Sequence, residues 1–346
     1  MENKKNLFDK TELKTIPLSL RESKSSIENI VVNPNSKLYP ASDDRIEHIA
    51  EQIISARKKN KPVILTYGAH LIKNGLGLVL RKMIEENIVT HLATNGAGSI
   101  HDWEFAFQGK TEEDVKKAIS VGQFGLGEET GKYINLALIS GAERGIGYGE
   151  SICEMIHNEK LILSGIKNDK LERLSIKRED VSLLHPYKHY SVQEASFGKI
   201  PLTIHPCFGQ DIIYTHQLSD GASIGKCAEI DFLKFVDSVS KLENGGVYLS
   251  VGSAIMSPMI FEKSLSMARN IAIQKGKTIE DFMIVVNDIQ EGKWDWSKGE
   301  PPKDNPAYYL RFCKTFNRMG ARELHYIQVD NRNFILSLYQ SIKNKK

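Results

Sequence analysis

Hydrophobic and polar positions along the chain follow two alternating periods. Short apolar runs recur at Pro62–Tyr67, Ile88–Ala93, Ile200–Ile204, Gly246–Val251, Phe282–Val286 and Leu324–Val329, and each predicts a strand. Between them the apolar residues return every three or four positions. This predicts helices over His70–Glu86, Glu112–Val121, Glu128–Ser140, Tyr148–Asn158, Ile224–Leu242, Pro258–Gln274, Ala307–Met319 and Arg332–Asn344. The knot Arg57, Lys58, Lys59 and Lys61 marks the end of another helix, where positive side chains complement the macrodipole. Strands separated by helices predict an α/β fold: a doubly wound, mostly parallel, Rossmann-like sheet with helices on both faces. The first forty residues are polar and lack sustained periodicity. They read as an N-terminal extension, residues 1–40, that could contact a neighbouring subunit, with 41–346 as a single α/β domain. Lys167–Asp180 reads as a charged surface excursion.

Charge and composition narrow the function. The net charge is +3 over 346 residues with no basic stripe, which argues against a nucleic-acid partner. No stretch approaches the roughly 20 apolar residues of a membrane span. The four cysteines, Cys153, Cys207, Cys227 and Cys313, form no C-x-x-C pair, and the dispersed histidines His101, His189, His205 and His216 nominate no metal site. Met1–Leu20 is polar and resembles no signal peptide, so a reducing, cytoplasmic setting is expected.

In a parallel sheet ligands bind beyond the carboxyl ends of the strands, so the strand ends hold the candidate chemistry. The first is Gly68-Ala69-His70, with Lys73 one turn on. It reads either as a phosphate approach to a helix N-terminus or as a plain turn. The second is Thr94-Asn95-Gly96-Ala97-Gly98-Ser99, followed by His101, Asp102 and Glu104. It reads as a Gly-rich turn whose acids could carry a cofactor ribose, or as a loop with Asp102 as an N-cap. The third, His205 to Asp211, leads to His216, and the fourth is Val251-Gly252-Ser253-Ala254. Together they read as a nucleotide crevice. Near the end of the chain Asp295, Glu300, Asp304, Tyr308, Tyr309 and Arg311, with Trp294 and Trp296, mix acids and rings in a way that suits an amine, with a scattered surface loop as the alternative.

The order of these stretches resembles the deoxyhypusine synthase family over Pro62–Asn344, and is also similar to plant homospermidine synthases. The stretches that carry the resemblance are Gly68–Gly75, Asn95–Gly98 with Asp102, Asp211–His216, Val251–Ser253 and Ile327–Asp330. Members of that family are homotetramers that use NAD to dehydrogenate spermidine and pass its aminobutyl group through an imine on a lysine. The resemblance implies that Gly68, Ala69, Asn95, Gly96, Gly252, Ser253 and Asp330 line an NAD site and that Asp211 faces the amine; the strand ends add His70, Lys73 and Asp102 to the cofactor side, and the late stretch of acids and rings adds Asp304 and Tyr309 to the amine side. Three positions depart from the family. Its catalytic lysine falls at Arg311, which cannot form an imine. Its amine-binding histidine falls at Met256 or Ser257. A cofactor-binding acid is replaced near His205 or Pro206. Lys314 or Lys73 could substitute as a nucleophile, and His216 could serve as the base. The expected function is therefore an NAD-dependent aminoalkyl transferase acting on a polyamine or other small amine without the usual lysine, as a homo-oligomer. The alternatives are an NAD-dependent enzyme with a non-polyamine substrate and a non-catalytic NAD-binding regulatory protein.

Overall fold

Six strands have side chains that alternate between two apolar layers: β1 (Val63–Tyr67), β2 (His91–Asn95), β3 (Leu202–His205), β4 (Gly246–Val251), β5 (Phe282–Asp288) and β6 (Glu323–Gln328). The structure is a computed structural model and describes residues 7–37, 43–163, 166, 171–172, 177–292 and 294–345. Most of the charged stretch expected at Lys167–Asp180, both ends of the expected extension and the Arg311 side chain lie outside the described residues.

The strands pair in the order β6-β5-β4-β1-β2-β3, and every pairing is parallel. The order reverses beside β1, which makes the β1–β4 seam a topological switch point. Val63, Leu65 and Tyr67 face one apolar layer while Ile64 faces the other; Tyr248, Phe282 and Ile284 join Ile64, and Leu249, Met283 and Val285 lie opposite. Both faces of the inner strands are covered, so β1, β4 and β5 read as mostly apolar runs, while the outer strand β6 begins with the partly exposed Glu323 and His325. Full burial of each large side chain stabilises the fold by about 1.5–3 kcal/mol.

The helices are α1 (Arg45–Lys58), α2 (Ala69–Lys73), α3 (Gly77–Glu85), α4 (Gly96–Gln108), α5 (Val115–Ser120), α6 (Glu128–Arg144), α7 (Tyr148–Asn158), α8 (Val192–Ser196), α9 (Gly221–Val239), α10 (Met256–Gln274), α11 (Arg311–Asn317) and α12 (Asn331–Lys345). Helices α1, α3, α6, α7 and α12 contribute to the larger layer, and α10 and α11 to the smaller. Among the described residues no helix is long and apolar enough to cross a membrane.

Three local expectations are corrected. The single helix expected over His70–Glu86 is two helices, because Gly75 adopts φ +79°. A Cβ there would lie 2.0 Å from the Ile30 carbonyl oxygen, so only glycine lets the N-terminal segment pack against this turn. The Gly-rich turn expected at Asn95–Ser99 is the first turn of α4, with Asn95 as N-cap accepting from the Gly98 N–H at 2.9 Å. The helix expected over Ala307–Met319 is a 3₁₀ turn, Pro306–Tyr309, followed by α11.

Residues 7–37 lie against the same chain. Ser25–Ser26 pairs antiparallel with Lys110–Thr111, Ile16 bridges Gly127, and Leu18 and Ile27 are buried. This strap crosses the carboxyl edge of the sheet on the β2 side, where the candidate chemistry lies.

Candidate functional site

Two cavities open on the carboxyl edge of the sheet, one on each side of α2. The first, about 220 Å³, lies at the switch point and is lined by His70, Asn74, Gly252, Asn287, Asp288 and Asp330 among others. Here the strand ends are held together by backbone: the Gly68 N–H donates to the Val251 carbonyl at 3.2 Å, and the Gly252 N–H to the Asn287 carbonyl at 2.9 Å. A Cβ at Gly68 would lie 2.1 Å from the Gly252 oxygen, so the seam closes only around a bare backbone. Gly252 has φ +55°; its N–H is taken by Asn287, its carbonyl lies against Gly68, and the Asn331 amide nitrogen stands 3.6 Å from where a Cβ would point. The Asn287 amide donates to the Ile327 and Val329 carbonyls and holds the end of β6 against β5.

The second cavity, about 240 Å³, lies between α4, the strap and the Cys207–Ile212 loop. Four carboxylates (Glu104, Glu112, Glu113 and Asp211) and two cations (Arg21 and Lys73) line it, with apolar walls from Ile100, Val115, Phe124 and Ile212. Ala97, His101 and Glu104 recur at helical spacing along α4 and so share the face toward the cavity. Two of the carboxylates are committed to the cations. Arg21, 5% exposed, donates both Nη atoms to Glu104 at 2.7 and 2.8 Å. Thr130 adds a third bond at 2.6 Å. Burial alone would raise the Glu104 pKa, but the hydrogen bonds and charge of Arg21, with Thr111 and Thr130, outweigh it and hold the carboxyl below the usual range. Lys73 pairs with Glu112 at 3.0 Å, and Ser25 donates to the other Glu112 oxygen at 2.7 Å. Glu112 adopts φ +73°, a strained backbone for a non-glycine residue, fixed by these contacts.

The other two carboxylates are shifted the opposite way. Burial raises Glu113, with Arg21, 3.6 Å away, opposing only in part. Burial pushes Asp211 up to about 6 against a single opposing hydrogen bond from the Cys207 N–H at 2.9 Å. The Asp211 carboxylate lies over Gly96, where a Cβ would come within 2.5 Å of it. His101, bonded to Thr111, is held neutral by burial, with its pKa lowered to about 4. The cavity thus combines two neutralised pairs with two buried acids that lack a full counter-charge.

No family model and no curated protein matches this sequence. Among solved structures, the chain is similar to AgrE in a ternary complex with ornithine and NAD+, at 15% identity and a TM-score of 0.46, covering 90% of this chain and 34% of AgrE. It is also similar to ArgZ, an arginine dihydrolase from the ornithine–ammonia cycle in cyanobacteria (16%, TM-score 0.41, 87% of this chain and 33% of ArgZ). A third is a LOR/SDH protein from Methanococcus maripaludis S2 (14%, TM-score 0.47, 96% and 74%). The chain spans about a third of the length of AgrE and ArgZ. None of these is a deoxyhypusine synthase. The expected membership of that family, and the aminoalkyl transferase activity that came with it, are corrected accordingly. The motif order behind that expectation has a topological origin: any parallel sheet feeding helices places small residues at successive strand ends.

The structure divides the residues expected at the site. Gly68, Ala69, His70, Gly252, Ser253 and Asp330 lie at or beside the switch point. Lys73 and Asp211 line the acid cavity, while Asn95 and Gly96 open α4, with Gly96 beneath the Asp211 carboxylate. Asp102 points away from both cavities: it is buried and accepts from Ser191 Oγ and the Val192 and Gln193 N–H groups, capping α8. His216 lines a different depression, with Glu128 3.6 Å from its Nε2. Lys314 pairs with Glu300 and lies 3.7 Å over the Tyr308 ring, while Asp304 and Tyr309 are exposed nearby. This group packs with the smaller apolar layer and shares no described cavity with Asp211. Arg21, Glu112 and Glu113 were not expected. Arg21 is a lone cation in a polar segment, and no local pattern marks it.

Proposed function

We propose that the chain is an NAD-dependent, oxidoreductase-type enzyme that acts on a small cationic amine or amino acid. The cofactor would lie at the switch point and the ammonium group of the substrate in the acid cavity. The observation that carries this reading is the juxtaposition, on either side of α2, of a bare-backbone seam in a 3-2-1-4-5-6 sheet and a cavity with two under-neutralised acids. A sheet of this order takes dinucleotides where the order reverses. The residues there fit such a group. The Asn331 amide nitrogen, at the cavity beside Gly252, can donate to a hydroxyl or phosphate oxygen, and the Asn287 Oδ1 can accept from a hydroxyl. The carboxylates of the acid cavity attract ammonium groups, whereas Asp288 and Asp330 at the switch point suit the hydroxyls of a ribose. AgrE, with ornithine and NAD+ bound, is consistent with the pairing of these two ligand classes on one fold.

NAD, when bound, supplies the hydride acceptor. The chain's own contribution is to bind and orient. Glu113 and Asp211 receive the ammonium group, the Arg21–Glu104 and Lys73–Glu112 pairs fix the walls, and the strap limits the access of water. Asp211, with its raised pKa, can take a proton from the substrate nitrogen near neutral pH.

The test is NADH absorbance with NAD and a panel of diamines and basic amino acids, alongside calorimetry. One or more cationic amines should give NADH, and anionic analogues should not. Asp211→Asn should weaken the amine by roughly tenfold or more while leaving NAD affinity within about twofold, since a charge-assisted bond contributes about 1.5–3 kcal/mol. The sign of the pH dependence follows from the raised pKa. Above about 6 Asp211 is ionised and the amine binds; below it the carboxyl is neutral and KM for the amine rises. Absence of NAD binding, or equal loss of both ligands in Asp211→Asn, would overturn the reading.

A further inference from the structure

At the opposite edge of the sheet, on the outer strand β6, lies a third cluster unrelated to either cavity. Glu323 and His325 stand two residues apart on one face of β6, and His48 reaches them from α1. Both imidazole Nε2 atoms converge on the same oxygen, Glu323 Oε2, at 2.8 Å from His48 and 3.0 Å from His325. The ligand atoms of all three lie within 4.8 Å of one another. We propose that His48, Glu323 and His325 form a binding site for a divalent transition-metal ion of the zinc class.

The donor set argues for this class of ion. Two imidazoles and one carboxylate suit zinc and its neighbours rather than magnesium or calcium, which prefer oxygen ligands. Ligands of a tetrahedral zinc, each about 2.0–2.2 Å from the ion, stand about 3.3 Å apart. The two nitrogen–oxygen spacings need widen by only a few tenths of an ångström to admit it, with the two nitrogens, no more than 4.8 Å apart, settling to the same separation. The second Glu323 oxygen is taken by Arg322 Nε at 3.1 Å, which fixes the carboxylate with Oε2 turned to the histidines. Arg322 is anchored in turn by Asp281 and by Gln52 of α1. The charge of Asp43 also acts on His325. All three ligands are only partly buried, so an ion can enter from solvent and keep water in its fourth position. The site joins the first long helix to the last strand. It therefore acts as a clamp on the sheet edge, away from the substrate.

The experiment uses the full chain without an affinity tag, stripped with a chelator and titrated with zinc chloride and, separately, magnesium chloride. One zinc should bind per chain and raise the melting temperature, and magnesium should do neither. His48→Ala and His325→Ala should each weaken zinc by more than about tenfold, since losing even a residue that only orients a metal ligand costs about that much. His48 is the more exposed of the two histidines, so His48→Ala decides the matter if His325→Ala does not fold. No saturable zinc binding, or binding equal in wild type and His48→Ala, overturns the proposal.

Discussion

Arg21→Ala is expected to destabilise the protein by about 3–5 kcal/mol, because it leaves the buried Glu104 carboxylate without its counter-ion. The guanidinium is 5% exposed and bonds both Glu104 oxygens, so water cannot replace it. Glu113 and Glu129 also feel its charge, and the strap loses its charged anchor. The effect has a defined pH dependence. In the wild type the folded Glu104 pKa is depressed, so the stabilisation is present above the unfolded value and is lost as the pH falls through the folded one. In the variant, burial without the guanidinium raises that pKa instead. The deficit is therefore largest near neutral pH, begins to narrow as the pH falls through the raised value of the variant, and goes on narrowing down to the depressed value of the wild type. Urea unfolding at pH 7 and pH 4 measures it. The double replacement Arg21→Met with Glu104→Leu should recover much of the loss, since an apolar pair removes both desolvation costs. An Arg21→Ala protein as stable as wild type at pH 7 would show that the strap contributes nothing to the fold.

Gly68→Ala is expected to cost at least about 3 kcal/mol, at the upper end of overpacking effects, and to abolish NAD binding. The added methyl would stand 2.1 Å from a backbone oxygen in the β1–β4 seam, and neither strand can retreat without losing its ladder. Gly225→Ala is the matched control. It lies within α9 with nothing near its Cβ position and should gain roughly 0.5–1 kcal/mol from helix propensity. Denaturation midpoints and NAD titration of the two variants compare the effects directly. A Gly68→Ala protein with normal stability would mean that the seam is looser than the structure shows.

What the sequence disclosed follows from the range of the forces involved. Val63–Tyr67 and Gly246–Val251 were legible as strands because a sheet covered on both faces makes most strand positions apolar, here all but Thr66, Gly246 and Ser250. The order of the strands was not legible. β3 joins β2 only after a crossover containing α4 through α8, and no local pattern encodes that pairing. At the second strand end the glycines misdirected the reading. Gly96 and Gly98 suggested a turn, yet Gly98 is glycine because a Cβ would lie 2.1 Å from Thr94 Oγ1. With α4 read as a helix, Ala97, His101 and Glu104 fall on one face, and that signal was present in the chain. Arg21 and His48 carried no such signal, since each acquires its partner only through tertiary packing.

The seam also bears on the biogenesis of the molecule. β1 and β2 emerge together and can pair early, but β1 has no neighbour on its other side until β4 is made. Contacts between distant segments form slowly, and an unpaired inner strand is a template for aggregation while it waits. A ribosome-bound chain that ends before Gly246 would therefore expose β1 as an edge, its Gly68 end open to chaperones or to other nascent copies. Completion of the crevice at the switch point and burial of that edge are a single event.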